Sequence, residues 1–125
     1  MPPLHARVGA ILLALATGCT GGDDGSAGTT ADSGFCATAP VSTYESFGSG
    51  FLTENCQTCH ASTAPNRHDA PAEVTFDDAA QAWQWADRIL ARATGAEVTM
   101  PPMGGTTDDD RYLLEVWLSC ATSGT

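Results

Sequence analysis

The short segment Cys56-Gln57-Thr58-Cys59-His60 constrains the fold of this chain more than any other part of its sequence. The segment supplies two thiols and, directly after the second, an imidazole. Three such side chains can hold a zinc ion, act as a redox dithiol or attach a haem covalently. Each of these sites requires different surroundings, which the rest of the sequence must supply.

The surroundings of the motif favour haem attachment. A redox dithiol of the thioredoxin type would begin a helix after a buried strand, and no strand pattern precedes Cys56. A zinc site would need a fourth ligand from His68, Cys36 or Cys120, and nothing pairs them at the usual second spacing. With haem, both thiols bond to the macrocycle, which leaves His60 to bind one face of the iron. We therefore predict one covalently bound haem c at Cys56, Cys59 and His60.

The second iron ligand is predicted to be Met100. It precedes Pro101 and Pro102, which restrict the backbone and would hold the thioether at a constant position. Met103 is the rival ligand, in a looser segment followed by two glycines. His68 is a further alternative, although it would have to cross the ring from its own loop. The expected metal ligands are thus an imidazole and a thioether, a pair that electron-transfer haem proteins use.

The first residues have the pattern of an export signal. Arg7 and the apolar run Val8–Ala16 match a basic region and a short apolar region, and the run is too short to span a membrane. The segment Leu15–Cys19 resembles a bacterial lipobox, with Ala16 where leucine is usual, and this resemblance implies lipidation of Cys19. The alternative is a soluble exported protein that is cut nearby by the ordinary signal peptidase.

The chain divides into three parts. We expect residues 1–18 to be a lipoprotein signal peptide, and residues 19–34, rich in Gly, Ser, Thr and Asp, to be a disordered tether. Residues 35–122 would form the folded domain. Cys36 and Cys120 bracket that domain, and in an exported chain they are predicted to form a disulfide, with two free thiols as the alternative.

Three helices are predicted, and no strand pattern is present, so the domain should be all-α. The first begins at the capping box formed by Ser42 and Glu45 and ends near Asn55; the second runs from Thr75 or Asp77 to Gly95; the third begins at the capping box formed by Thr107 and Asp110 and ends near Cys120. Gly48 and Gly50 would weaken the first helix as an isolated helix, so we expect either that the segment frays or that another backbone approaches closely there.

The charge of the chain restricts its partners. The formal net charge is −10, and there is no lysine. Nucleic acid is therefore excluded as a partner, because its phosphates need cationic side chains. The expected partners are redox proteins that dock through a basic or an apolar surface.

The motif C-Q-T-C-H, the later M-P-P and the closing helix from Asp108 to Leu118 resemble a small bacterial class I cytochrome c, over about Tyr44 to Cys120. The resemblance implies a helical domain wrapped around the haem, with the first and last helices crossing through Phe47 or Phe51 against Trp117. It also implies that His60 donates its second ring N–H to a backbone carbonyl near Pro71, or near Pro65 as the rival. Candidate donors to the haem propionates are Arg67, Arg88, Arg92, Trp83 and Trp85.

The expected function is that of a single-electron carrier and not an enzyme. The chain would be exported and lipid-anchored, on the periplasmic side or the outer surface of a membrane. A haem-based peroxidase or gas sensor with a labile methionine ligand is the first alternative. A structural lipoprotein without haem is the second.

Overall fold

The computed structural model describes residues 33–121. The predicted signal peptide, the predicted lipidation site Cys19 and most of the predicted tether lie outside these residues. The helices are α1 (Ser33–Thr38), a π-helical segment (Tyr44–Gly48), α2 (Ser49–Asn55), α3 (Gln57–His60), α4 (Ala79–Gln84), α5 (Ala86–Ala93) and α6 (Asp108–Cys120). The described part of the chain contains no strand, which confirms the all-α class. Within residues 33–121, no helix has both the length and the apolar character that a membrane span requires.

The first predicted helix is present, but Thr43 and Ser46 form its capping box, so the prediction of Ser42 and Glu45 is wrong. Thr43 is the N-cap: its hydroxyl accepts from the backbone N–H of Ser46, and the Ser46 hydroxyl accepts from the N–H of Thr43. The predicted cap residue, Ser42, is buried and instead donates to the carbonyl of Leu113 in α6 at 3.2 Å. The helix begins with a π-helical turn, in which Gly48 N–H donates to the Thr43 carbonyl.

The second predicted helix is divided into α4 and α5. Asp78 caps α4 by accepting from the N–H of Gln81 at 2.8 Å. The helix stops at Trp85, whose φ of −110° and ψ of 14° lie outside the α-helical region, and α5 resumes at the next residue. The end of α5 agrees with the prediction to within two residues of Gly95.

Helix α6 confirms the third prediction. Thr107 Oγ1 accepts from the N–H of Asp110 at 3.1 Å, and Asp110 Oδ2 accepts from the N–H of Thr107 at 2.9 Å. These bonds hold the pKa of Asp110 below its ordinary value, because they favour the ionised carboxylate. The helix ends at Cys120, as the sequence predicts.

The centre of the fold is the crossing of α6 with the π-helical segment. Trp117 of α6 has no solvent exposure, and its ring lies directly over the backbone of Gly48. The ring of Tyr44 lies beside it at 5.9 Å between centroids, and Trp83 of α4 contacts it edge-on at 6.3 Å. Gly48 is therefore explained by the close approach of a side-chain ring, where a neighbouring backbone was expected.

The aromatic pairs at this crossing differ from those that the resemblance implies. Phe47 and Phe51 stack on each other at 5.2 Å, while Tyr44 and Trp83 supply the ring contacts of Trp117. Gly48 lies where the π-helical segment and α6 come closest. Tyr44, one turn before Gly48, is therefore the residue of this segment whose ring contacts Trp117. Phe51 remains in the same buried core cluster.

The predicted disulfide between Cys36 and Cys120 is present and fastens α1 to the end of α6. Phe35 of α1 also packs edge-on against Tyr112 of α6, with 6.1 Å between the ring centroids. Helix α1 was not predicted from the sequence; it begins within the last two residues of the predicted tether.

Candidate functional site

The C-x-x-C-H motif forms one compact turn at the end of α2. Cys56 interrupts the helix with a φ of −122°, and its carbonyl accepts the N–H groups of both Cys59 and His60, at 3.1 and 2.9 Å. Both cysteines are half-buried free thiols. The structure thus places two unbonded thiols and an imidazole on a single turn.

The environment of Cys56 favours the neutral thiol. Burial raises the pKa of Cys56 to about 12, and the proximity of Cys59 adds to the rise. A redox dithiol needs a thiolate as nucleophile, which proteins obtain by lowering a cysteine pKa. The structure therefore disfavours the redox-dithiol alternative at this motif.

The His60 ring is held from two sides. Its Nδ1 lies 3.0 Å from the backbone carbonyl oxygen of Val74, and the ring stacks on Phe76 at 4.6 Å and 25°. A carbonyl can only accept a hydrogen bond, so Nδ1 carries the proton, and in the neutral ring Nε2 keeps its lone pair. Nε2 is therefore the nitrogen that can bind a metal.

The carbonyl partner of His60 differs from the one expected from the resemblance. It belongs to Val74, three residues after the preferred candidate Pro71, whose own carbonyl accepts from Arg67 at 2.8 Å. The chain brings Val74 to the ring because the segment after it pairs with the motif. Phe76 N–H donates to the His60 carbonyl at 2.8 Å, and Gln57 Nε2 donates to the Phe76 carbonyl at 2.9 Å.

Asp77 closes the same loop. Its carboxylate accepts the backbone N–H of Ser62 at 2.9 Å, and this bond lowers the pKa of Asp77. The loop between His60 and Asp77 is therefore pinned at both of its ends.

Arg67 is the residue whose role the sequence did not reveal. Its guanidinium donates to four backbone carbonyls of the same loop: those of Ala61 at 2.6 Å, Ala70 at 3.4 Å, Pro71 at 2.8 Å and Val74 at 2.8 Å. All three of its nitrogen atoms are used inside the loop. Four of its five N–H groups are thus engaged within the loop, and its expected role as a donor to a haem propionate stays a prediction.

The two candidate thioether ligands lie in different environments. Met100 is half-buried, and its backbone N–H and that of Thr99 both donate to the carbonyl of Arg92, at 3.0 and 2.8 Å. Met103 is 94% exposed, just before Gly104 and a second glycine, both with positive φ. The backbone at Met100 is therefore tied to α5, whereas the Met103 side chain projects into solvent.

The other residues considered as iron, propionate or zinc ligands lie on the surface or already have a partner within the chain. His68 is exposed, and Arg88 lies over the ring of Trp85 at 5.5 Å from its centroid. Cys36 and Cys120 are oxidised, so neither can complete a zinc site with the motif. Within residues 33–121, no group of three or more His, Cys, Asp or Glu side chains is arranged to hold a metal ion.

Comparisons of the chain with protein-family models, with curated proteins and with solved structures find no match.

Proposed function

We propose that the chain is a single-electron carrier with one covalently attached haem c, of the class I cytochrome c kind. In this proposal Cys56 and Cys59 form the thioether bonds, and His60 and Met100 are the two axial ligands of the iron. Cys19 carries the lipid that tethers the exported protein to a membrane surface.

The observation that carries the proposal is the arrangement of the three side chains of the motif, two thiols and one imidazole. Cys56 and Cys59 lie on one turn and are not bonded to each other, whereas Cys36 and Cys120 of the same chain form a disulfide. His60 uses Nδ1 for the Val74 carbonyl, so the ring nitrogen left over is the one that an iron would bind. Two thiols and one oriented imidazole are the donor set that covalent haem requires on its proximal side.

The preference for Met100 over Met103 is supported by burial. A thioether ligand must be held in place and shielded from water, and Met100 is half-buried on a segment bonded to α5. A side chain that is 94% exposed, as in Met103, would lose most of its freedom on binding iron, which costs free energy.

The bound haem would supply the one-electron chemistry, and the residues of the chain would orient it and exclude water. The Val74 carbonyl fixes the tautomer of His60 and makes the imidazole a stronger donor. A net charge of −10 would direct the carrier to redox partners with basic or apolar docking surfaces. We assign no catalytic residue.

The first experiment expresses the full chain in cells that attach haem c and measures the mass and the absorption spectrum. We expect one added haem and a six-coordinate spectrum, with the weak far-red band of methionine-ligated iron. Met100→Ala should abolish that band, and the matched variant Met103→Ala should retain it. If Met103→Ala abolishes the band and Met100→Ala retains it, the iron ligand is Met103 and not Met100. A colourless protein of unmodified mass would refute the haem site.

Carbon monoxide separates the carrier from the first alternative. With Met100 on the iron, the ferrous protein should bind carbon monoxide weakly, and Met100→Ala should bind it readily. Ready binding by the unmodified protein would instead favour a peroxidase or gas sensor.

A further inference from the structure

Arg67 joins the two ends of the loop that follows the motif. It bonds the carbonyl of Ala61, the residue directly after His60, and the carbonyl of Val74, which is the hydrogen-bond partner of the His60 ring. Its side chain is half-buried, and each of its three nitrogen atoms donates at least one hydrogen bond to a carbonyl of this loop.

The Val74 carbonyl oxygen therefore has two donors. Arg67 Nη2 lies at 2.8 Å and His60 Nδ1 at 3.0 Å, and a carbonyl oxygen has one lone pair for each. Hydrogen bonds from a charged donor are the stronger ones. The guanidinium withdraws electron density from the oxygen, and this weakens the bond that the same oxygen accepts from His60.

Arg67 is not the only group that holds the Val74 segment near the ring. The bonds from Phe76 N–H to the His60 carbonyl and from Gln57 to the Phe76 carbonyl hold this part of the chain against the motif independently. What Arg67 adds to these bonds is a positive charge beside the oxygen that His60 uses.

We infer that Arg67 is a positioning residue that acts on the haem iron through His60, by sharing the Val74 carbonyl and so limiting the basicity of the imidazole. This inference rests on the proposed function. A less basic imidazole and a nearby positive charge both disfavour ferric iron relative to ferrous iron. Arg67 therefore raises the reduction potential.

The test compares the midpoint potentials of the haem-loaded protein and of Arg67→Gln. We expect Arg67→Gln to raise the ferric-to-ferrous ratio at a fixed potential about threefold or more, on the one-electron scale where tenfold is about 59 mV. Arg67→Lys keeps the charge and should recover much of this shift. Arg111→Gln is the matched control, because it removes another half-buried arginine, one bonded to Asp108 and Thr106.

A second readout follows the hydrogen bond itself. In the ferrous, diamagnetic protein, the proton resonance of His60 Nδ1–H should move downfield in Arg67→Gln, because the freed carbonyl is a stronger acceptor. It should not move in Arg111→Gln. This measurement uses the folded, haem-loaded fraction, so it applies even if Arg67→Gln lowers the yield.

An unchanged or raised potential in Arg67→Gln would overturn the inference, as would an equal fall in Arg111→Gln. An upfield shift of the Nδ1–H resonance would overturn it too, since the bond would then depend on Arg67 for its geometry. Failure of the unmodified chain to attach haem is a different result, which refutes the proposed function and removes the basis of this inference.

Discussion

Gly48→Ala tests the packing at the centre of the fold. A Cβ atom at position 48 would lie 2.8 Å from Cε2 and from Cζ2 of Trp117, and 2.9 Å from Cη2, whereas ordinary contacts are 3.4–4 Å. Trp117 is fully buried, so its ring cannot move aside without displacing the core around it. Overpacking of this kind costs about 1–3 kcal/mol.

A matched variant separates this clash from the effect of glycine itself. Gly48 and Gly50 both lie in helical segments, and replacing a helical glycine by alanine stabilises by about 0.5–1 kcal/mol. A Cβ at Gly50 has no heavy atom within 4 Å. The difference between the two variants is therefore the clash alone, about 1–3 kcal/mol in favour of Gly50→Ala.

The assay is denaturant unfolding of both variants, with thermal unfolding as a check. For a domain of this size, each kcal/mol corresponds to a melting temperature difference of roughly 4–8 °C. Gly48→Ala should unfold first and Gly50→Ala last, with the unmodified protein between them. If Gly48→Ala proves as stable as Gly50→Ala, the close packing of Trp117 on the helix is wrong.

Two further predictions concern stability. Replacing Cys36 and Cys120 together by alanine should lower the free energy of unfolding by roughly 4 kcal/mol, because the bond closes a long loop in the unfolded chain; unchanged denaturant midpoints would argue against the bond. Asp110→Ala should destabilise near neutral pH, since the lowered pKa of Asp110 means that its ionised form stabilises the fold above the unfolded value of about 4. That loss should disappear as the pH falls through the folded pKa, and a loss that stays constant over this range would argue against the ionised cap.

Local sequence signals predicted part of the fold well. The start of α6 follows from Thr107 and Asp110, because a capping box is made by residues three apart and needs no distant partner. The similar pattern of Ser42 and Glu45 failed because Ser42 is drawn into a bond with Leu113, more than seventy residues away. Tertiary contacts of this kind leave no periodic signal.

The candidate site also has features that the sequence predicted and features that depend on distant contacts. Cys56, Cys59 and His60 lie within five residues, so their grouping in one site was predictable, whereas the helical turn that they share is seen only in the structure. The partner of His60 was placed near Pro71, but the pairing of Phe76 with the motif selects Val74 instead. The role of Arg67 depends on the conformation of the whole loop, and a lone arginine in a polar segment gives no sign of it.

The disulfide also sets how the domain would respond to mechanical force. The sulfur bridge joins position 36 to position 120, so chain leaving the domain beyond either cysteine leaves from neighbouring points. A pull applied between the two chain ends would travel along the covalent bridge and bypass the helices between them. In the proposed lipid-anchored carrier, the interior of the domain would thus bear little load when the chain is stretched.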